Sequence, residues 1–174
     1  MIKTYKEILW TPVYVDDEIR PVSTIKDLVL DPFNGSLVAV IVNKNKNLGF
    51  APMDLVYWDG KVKIRDASCI FDVSEILRAE EILKKDIKII RNKVFDEDGA
   101  FLGKVSDYSF NTNPSILTLT SITVTQDFLG LINFEKRLIP AKNIVEILTE
   151  KIIVKSDSKV REPKSVHIKA EAVG

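Results

Sequence analysis

The sequence contains few of the residues on which several common chemistries depend. Among its 174 residues there is one cysteine, Cys69, and one histidine, His167. One cysteine cannot form a disulfide within the chain, and one Cys with one His cannot supply the ligands of a usual zinc site. We therefore expect a reducing compartment, a buried structural thiol at Cys69 and an exposed His167 without a catalytic partner.

The sequence also lacks an excess of charge and a long apolar run. Lys plus Arg and Asp plus Glu both number 25, so the net charge is zero, which argues against DNA binding and against a polybasic membrane anchor. The longest continuous apolar run, Leu37 to Val42, is far shorter than the roughly 18 residues of a spanning helix. Met1 to Trp10 has no signal-peptide core. These features predict a soluble, cytoplasmic protein without membrane contact.

Motifs for catalysis or for cofactor binding are not found. Gly99 and Gly103 lack the spacing and the following Lys-Ser/Thr of a phosphate loop. Asp96 and Asp98 are spaced like the start of a calcium loop, but the later bidentate Glu is missing. We therefore expect no enzyme activity, no cofactor and no metal. The Asn43–Asn47 loop could touch phosphate, although a solvated loop is favoured.

What the sequence has in abundance is β-branched aliphatic residues, and it has an internal repeat. Its 21 Ile and 18 Val favour strands. Thr24–Asp31 aligns with Lys104–Asn111 at an offset of 107 − 27 = 80, and Lys61–Ile64 aligns with Lys151–Val154 at an offset of 151 − 61 = 90. Pro52 pairs with Pro140 at an offset of 140 − 52 = 88. The growing offset predicts two small modules, the second with about ten extra residues.

Each repeat reads as strand, acidic turn, strand, turn and apolar strand. Turns are predicted at residues 16–18, 32–35, 96–99 and 111–114, with a positive φ at Gly99. A change of apolar parity in the strand 116–124 predicts a β-bulge near Thr120 and Ser121. Four strand residues are predicted to be buried: Ile25, Val40, Val105 and Leu119.

One helix is predicted between the repeats, near Ser74–Lys85. Asp72 and Glu75 fit a capping box with Asp72 as the N-cap. Glu80–Lys84 and Glu81–Lys85 have the spacing of stabilising ion pairs. The apolar face is predicted to contain Val73, Ile76, Leu77, Ala79, Leu83 and Ile87.

The segment Gly99-Ala100-Phe101-Leu102-Gly103-Lys104-Val105-Ser106-Asp107, followed later by Ile139-Pro140, resembles the PRC-barrel family of small β-barrels. This family includes the photosynthetic reaction centre H subunit and the C-terminal half of a ribosome maturation factor. The first repeat departs from the pattern, since Ile19 and Ser23 stand where the glycines are expected. The resemblance implies a mainly β protein of two tandem small PRC-type barrels joined by one α-helix. The barrels are predicted at residues 1–70 and 89–156, the connecting helix at 71–88 and a C-terminal tail at 157–174.

Two groups of residues are candidate sites, and each has two interpretations. Asp27 and Asp107 recur in both repeats and are either a carboxylate site or strand-end residues that accept backbone N–H bonds, which is favoured. An apolar insertion in the second repeat either covers the core or forms a protein-binding surface. The insertion residues are Phe128, Leu129, Leu131, Ile132 and Phe134.

The tail carries one further strand pattern. Val166, Ile168 and Ala170 alternate with polar residues, which predicts that Val166–Ala170 pairs with a sheet edge of its own chain or of a second copy.

These observations predict a non-catalytic protein-binding or assembly module whose partner is another protein or a second copy of itself. The alternative, an RNA-processing or ribosome-maturation-associated factor, is implied only by the family resemblance.

Overall fold

A computed structural model of the chain describes residues 1–15, 18–126 and 135–156. The fold is mainly β, as predicted. Its helices are α1 (Tyr5–Ile8) and α2 (Leu77–Lys84). The strands before α2 are β1 (Ile2–Thr4), β2 (Pro12–Val15), β3 (Ser23–Thr24), β4 (Asp27–Leu30), β5 (Leu37–Asn43), β6 (Leu48–Phe50), β7 (Leu55–Asp59), β8 (Lys61–Ile64) and β9 (Phe71–Asp72). The strands after α2 are β10 (Lys93–Asp96), β11 (Phe101–Asn111), β12 (Thr118–Gln126), β13 (Glu135–Pro140), β14 (Ile144–Ile147) and β15 (Lys151–Val154).

The strands form three sheets in the described part of the chain. The seven-stranded sheet has the order β13-β12-β11-β10-β15-β14, and β1 also pairs with β11. The two four-stranded sheets have the orders β3-β2-β8-β7 and β4-β5-β6-β9. We call the residues before β10 the first half and β10 to β15 the second half. None of these sheets closes into a barrel within the described residues, so the two-barrel arrangement remains a prediction.

One hydrophobic core extends through both halves. Val13 and Val62 from the first half are fully buried in the same cluster as Val94 and Ile152 from the second. The four residues that the sequence predicts to be buried, Ile25, Val40, Val105 and Leu119, all lie in this cluster. The core is therefore shared between the halves.

The sheet of β4, β5, β6 and β9 is buried on both of its faces. Side chains alternate across a strand, so Leu28 and Val40 face the main core while Val29 and Ala39 face the other way. Helix α2 covers this second face and contributes Ala79 to a smaller cluster. The helix is thus a layer of the first half.

The helix begins later than the sequence predicts. The Asp72 side chain accepts a hydrogen bond from the Ser74 backbone N–H at 3.0 Å, but it caps a 3-10 turn, Val73–Glu75, and α2 starts only at Leu77. The assignment of Leu77 to the apolar face is wrong, because Leu77 is exposed, while Ile82, which the predicted face omits, is buried. Glu80 pairs with Lys84 as predicted.

Several turn predictions are confirmed. Gly99 has a φ of +85° in the turn after β10, and residues 32–34 form a turn that ends at Gly35 with a φ of +72°. The register between β11 and β12 shifts between Ser109 and Phe110, which leaves Thr120 unpaired, as the parity change predicts. The first acidic turn includes Asp16 and Asp17, which lie outside the described residues.

No helix in the described part of the chain is long and apolar enough to cross a membrane.

Candidate protein-binding surface

The predicted protein-binding residues, Phe128, Leu129, Leu131, Ile132 and Phe134, lie outside the described residues. The same holds for His167 and for the predicted tail strand Val166–Ala170. The two interpretations of the insertion and the pairing of the tail therefore stay predictions. A candidate surface has to be built from the ranges that the structure describes.

Asp27, the first of the two recurring aspartates, is satisfied by nearby donors. Asp27 Oδ1 accepts a bond from the Leu28 backbone N–H at 2.9 Å and one from the Tyr5 hydroxyl at 2.7 Å. Its Oδ2 lies 2.6 Å from Lys44 Nζ. Both oxygens are therefore occupied, as expected for a carboxylate that holds structure.

Asp107, the second recurring aspartate, has the same backbone bond. Asp107 Oδ1 accepts a bond from the Tyr108 backbone N–H at 2.9 Å. The described residues contain no group of three or more His, Cys, Asp or Glu side chains that could hold a metal ion. Asp27 is the first residue of β4, as the strand-end interpretation predicts, whereas Asp107 lies inside β11 beside a register shift.

Two tyrosines stack beside these carboxylates. The Tyr5 and Tyr108 rings lie 4.8 Å apart between centroids. Burial, followed by the nearby Asp27 carboxylate, raises the pKa of Tyr5 well above its usual range. Burial, then Tyr5 and the two aspartates, raises the pKa of Tyr108 as well. Both phenols are therefore neutral at ordinary pH, and Tyr5 acts as a hydrogen-bond donor and not as a base.

Cys69 is buried in the main core, as predicted. Burial raises the pKa of its thiol, and the nearby Asp54 carboxylate raises it further. The thiolate is the reactive form of cysteine, so this environment makes the side chain a poor nucleophile.

A large aromatic side chain is exposed at the turn that follows β4. Asp31 Oδ1 accepts a bond from the Phe33 backbone N–H at 2.8 Å, and Asn34 Oδ1 accepts one from the Ser36 backbone N–H at 2.9 Å. Gly35 ends the turn with its positive φ, and a Cβ at this position would lie 2.9 Å from the Leu119 Cβ. The turn is thus held in one shape, yet Phe33 is 92% exposed.

Helix α2 fixes this turn from the side. Arg78 Nε lies 2.7 Å from Asp31 Oδ2, and Arg78 Nη2 lies 3.0 Å from Asp31 Oδ1. This two-point bond to Arg78 lowers the pKa of the Asp31 carboxyl below its usual value. Charge-assisted bonds of this geometry are among the stronger hydrogen bonds in proteins.

Phe33 borders a shallow depression at the junction of the two halves. The turn Pro32–Gly35 forms one side, and residues of the second half form the other. Val145, on the second-half side, is 50% exposed. We call this depression and its rim the junction surface. Its second-half residues are Leu119, Ala141, Ile144, Val145 and Ile147.

No protein-family model and no curated protein matches the chain.

The sequence analysis places Phe33 in a turn and does not recognise it as a surface residue of interest. A signal was present, because a large aromatic residue is unusual among the Pro, Asn and Gly that favour a turn. The second-half residues of the junction surface gave no such signal, since their position depends on how the halves pack.

Proposed function

We propose that this protein is a non-catalytic binding or assembly module, built of two PRC-like units, that contacts another protein chain through the junction surface. The observation that carries the proposal is Phe33, which is exposed on a hydrogen-bonded turn beside a depression formed by both halves. Aromatic residues, Phe among them, are enriched in protein interfaces.

Backbone conformation supports the two related units. Trp10 and Arg91 both have left-handed φ values, +69° and +68°, which bulky side chains rarely adopt. The Trp10 backbone N–H donates to the Ile25 carbonyl and the Arg91 backbone N–H donates to the Val105 carbonyl, both at 2.8 Å. The offsets are 91 − 10 = 81 and 105 − 25 = 80.

Strand pairing supports the same relation. Val13 lies opposite Val62 in a parallel pair, and Val94 lies opposite Ile152 in another parallel pair. Parallel neighbours are uncommon in such small β units, because each needs a crossover connection. The two pairs are separated by 94 − 13 = 81 and 152 − 62 = 90 residues, close to the sequence offsets.

Bulges also fall at matching places. The register shifts between Val29 and Leu30 in β4, and between Ser109 and Phe110 in β11. The two register shifts are 80 residues apart, since 109 − 29 = 80 and 110 − 30 = 80. Bulges redirect a strand and leave a residue unpaired, so a matching position is evidence of a common backbone plan.

The turns after β4 and β11 differ in one respect. Thr112, directly after β11, is fully buried, and its backbone N–H donates to the Met1 carbonyl at 2.7 Å. Residues 113–116 of that turn are exposed, as Phe33 is in the turn after β4. Both turns therefore reach solvent, but only the turn after β4 carries an aromatic side chain there.

The test is affinity capture from a cell extract with three full-length proteins: wild type, Phe33→Ser and Ile19→Ser. Ile19 is 95% exposed and lies outside the junction surface, so it is a matched control for loss of an exposed apolar side chain. We expect Phe33→Ser to lower recovery of the partner at least about tenfold, and Ile19→Ser to leave it unchanged. Both variants should unfold within about 0.5 kcal/mol of wild type.

Equal recovery by all three proteins would contradict the proposal. A ribonuclease-treated sample separates the alternative function. Recovery that depends on intact RNA in the wild-type sample would support the RNA- or ribosome-associated interpretation and overturn the direct protein contact.

A further inference from the structure

We propose that the outer face of the seven-stranded sheet binds single-stranded RNA. This face is the side of β10, β11 and β15 that points away from the main core, and it is separate from the junction surface. Three features carry the inference: a row of lysines, an aromatic pair beside the row and an acidic turn beyond that pair.

Three exposed lysines lie side by side across three neighbouring strands. Lys93 on β10 is opposite Lys104 on β11 in one ladder and opposite Lys151 on β15 in the other. The next residues on β10 and β15, Val94 and Ile152, are fully buried in the core, so the lysines point to the opposite face. Neighbouring strands lie about 5 Å apart, so the three side chains form a straight line, which we call the lysine row.

The described residues supply no carboxylate to the lysine row. None of their ion pairs includes Lys93, Lys104 or Lys151. Like charges directly opposite each other in a sheet are destabilising. The first half pairs Pro12 with Thr24 at the positions 93 − 12 = 81 and 104 − 24 = 80 residues earlier, so the same strand pairing forms there without these lysines. A row that costs stability and that the strand pairing does not need fits a role in binding an anion.

An aromatic pair lies next to the lysine row on the same face. Phe95 follows Lys93 by two residues and is opposite Phe101, and the two ring centroids are 5.4 Å apart. Phe101 is 43% exposed, and Phe95 is half-buried. Nucleic-acid bases stack on aromatic rings whatever their sequence, because every base has a π-face. The face therefore places positive charge for phosphates beside a surface on which bases can stack.

The turn between β10 and β11 gives the bound strand an orientation. Glu97 and Asp98 are exposed in this turn, which lies beyond the aromatic pair on the side away from the lysine row. Their carboxylates repel phosphates, whereas the lysines attract them. The sugar–phosphate backbone therefore follows the lysine row, and the bases lie over Phe95 and Phe101.

A hydroxyl group in the same line favours RNA over DNA. Lys104 lies opposite Thr125 on β12, and Thr125 lies opposite Lys136 on β13. The Thr125 hydroxyl is thus next to the path of the backbone, where it can bond the 2′-hydroxyl that RNA has and DNA lacks. A lipid surface attracts lysines in any arrangement, whereas a straight row fits a linear polyanion.

The experiment measures binding of purified full-length protein to a labelled oligouridylate of about 12 nucleotides by fluorescence anisotropy. The site variant replaces the lysine row with glutamines: Lys93→Gln, Lys104→Gln and Lys151→Gln. The matched control replaces three exposed lysines of other elements: Lys6→Gln, Lys46→Gln and Lys61→Gln. Both variants lose the same charge, so only the position of the lost lysines differs.

We expect the site variant to bind at least about tenfold more weakly than wild type, and the control to stay within about twofold. In wild type the logarithm of the affinity should fall with the logarithm of salt concentration with a slope of about −2, since each phosphate contact to a single strand contributes about −0.7. The site variant should lose most of this slope. It should unfold at no lower urea concentration than wild type, because it removes opposed like charges.

A second pair of variants tests base stacking. Phe101→Ala should weaken binding at least about fivefold, because it removes the exposed ring of the aromatic pair. Phe33→Ala removes an exposed ring of the junction surface and should leave RNA binding unchanged. The two proposed surfaces are thus tested independently of each other.

Equal weakening by the site variant and the lysine control would overturn the proposal, as would an absence of binding by wild type. Equal affinity for an oligodeoxythymidylate or a duplex RNA of the same length would overturn the assignment to single-stranded RNA. Binding to phosphatidylserine-containing vesicles that is lost in the site variant, without binding to the oligouridylate, would overturn it in favour of a membrane surface.

Discussion

At the scale of single residues, Trp58 combines deep burial in the core with an unsatisfied polar atom. It is 3% exposed, and its ring lies 6.1 Å from that of Phe110, which joins the two halves. Its indole Nε1 has no hydrogen-bond partner among the described residues. A buried donor without a partner costs about 1–3 kcal/mol, so the packing of the ring must more than compensate for its polar atom.

We therefore expect two substitutions of Trp58 to differ sharply. Trp58→Ala removes the ring and should lower the free energy of unfolding by about 3–5 kcal/mol. Trp58→Phe keeps an aromatic ring and removes the unpaired donor, so it should cost no more than about 1.5 kcal/mol. Urea denaturation measures both. If both substitutions lowered the free energy of unfolding equally, the indole N–H would have to make a hydrogen bond that this structure does not show.

At the scale of elements, the sequence predicts strands better than it predicts helices. Alternating apolar residues locate the long strands, because each strand has a buried side. The short helix α1 is not predicted, although Thr4 and Glu7 form a capping box, which is a sequence pattern that indicates the start of a helix. The four residues of α1 are too few to show an apolar period.

The side chains on the outer face of the first unit explain the position of α2. Val29 and Ala39 give the first unit an apolar outer face, and the matching positions in the second unit are Ser109 and Ser121. An apolar helix face is stabilised on the former and not on the latter. The late start of α2 has a local cause, since the Asp72 cap holds a 3-10 turn before the helix begins.

The candidate surface is less accessible to sequence reasoning. Phe33 lies in a predicted turn, but whether its side chain is covered depends on how the two halves pack. That packing brings together residues far apart in the chain, and neither composition nor local period contains this information. For the same reason the exposure of Val145 could not be predicted.

The attachment of α2 to the turn after β4 gives a second prediction. Arg78→Gln removes the two-point bond to the mostly buried Asp31 carboxylate and should therefore lower the free energy of unfolding by more than the control does. The control is Lys84→Gln, which removes the exposed ion pair with Glu80 and should cost at most about 0.5 kcal/mol. Thermal and urea unfolding at neutral pH measure both.

The same pair determines a pH dependence. The pKa of Asp31 is lowered in the folded protein, so its contribution to stability is present above the unfolded value of about 3.9 and is lost as pH falls below it. Stability of Arg78→Gln should therefore decline less steeply below about pH 4 than that of wild type. Parallel declines for the two proteins would contradict this assignment.

At the scale of the whole molecule, the two halves share more than a linker. The Leu37 backbone N–H donates to the Leu117 carbonyl at 3.0 Å, and the Leu119 backbone N–H donates to the Gly35 carbonyl at 2.9 Å. The main core contains residues of both halves. Loss of order in one half would expose apolar surface and break backbone bonds in the other.

A single cooperative unfolding transition follows from this arrangement. Ile25→Ala and Val105→Ala alter corresponding core residues in the first and second half, and each should lower the free energy of unfolding by about 2–4 kcal/mol. Both should shift one common transition, recorded in urea by circular dichroism and by tryptophan fluorescence. Two separated transitions, with each substitution affecting only one, would show that the halves unfold independently.

The pairing of β1 with β11 also determines when the fold can be completed. Ile2 pairs with Asn111, so 111 − 2 = 109 residues separate the two partners. At a synthesis rate of roughly 5–20 residues per second, β1 leaves the ribosome roughly 5–20 s before its partner has been made. A contact of such high sequence separation also slows folding, because a long loop must close before the strands can pair. During this interval the backbone groups of β1 lack their partners in β11. The seven-stranded sheet can therefore be completed only late in the synthesis of the chain.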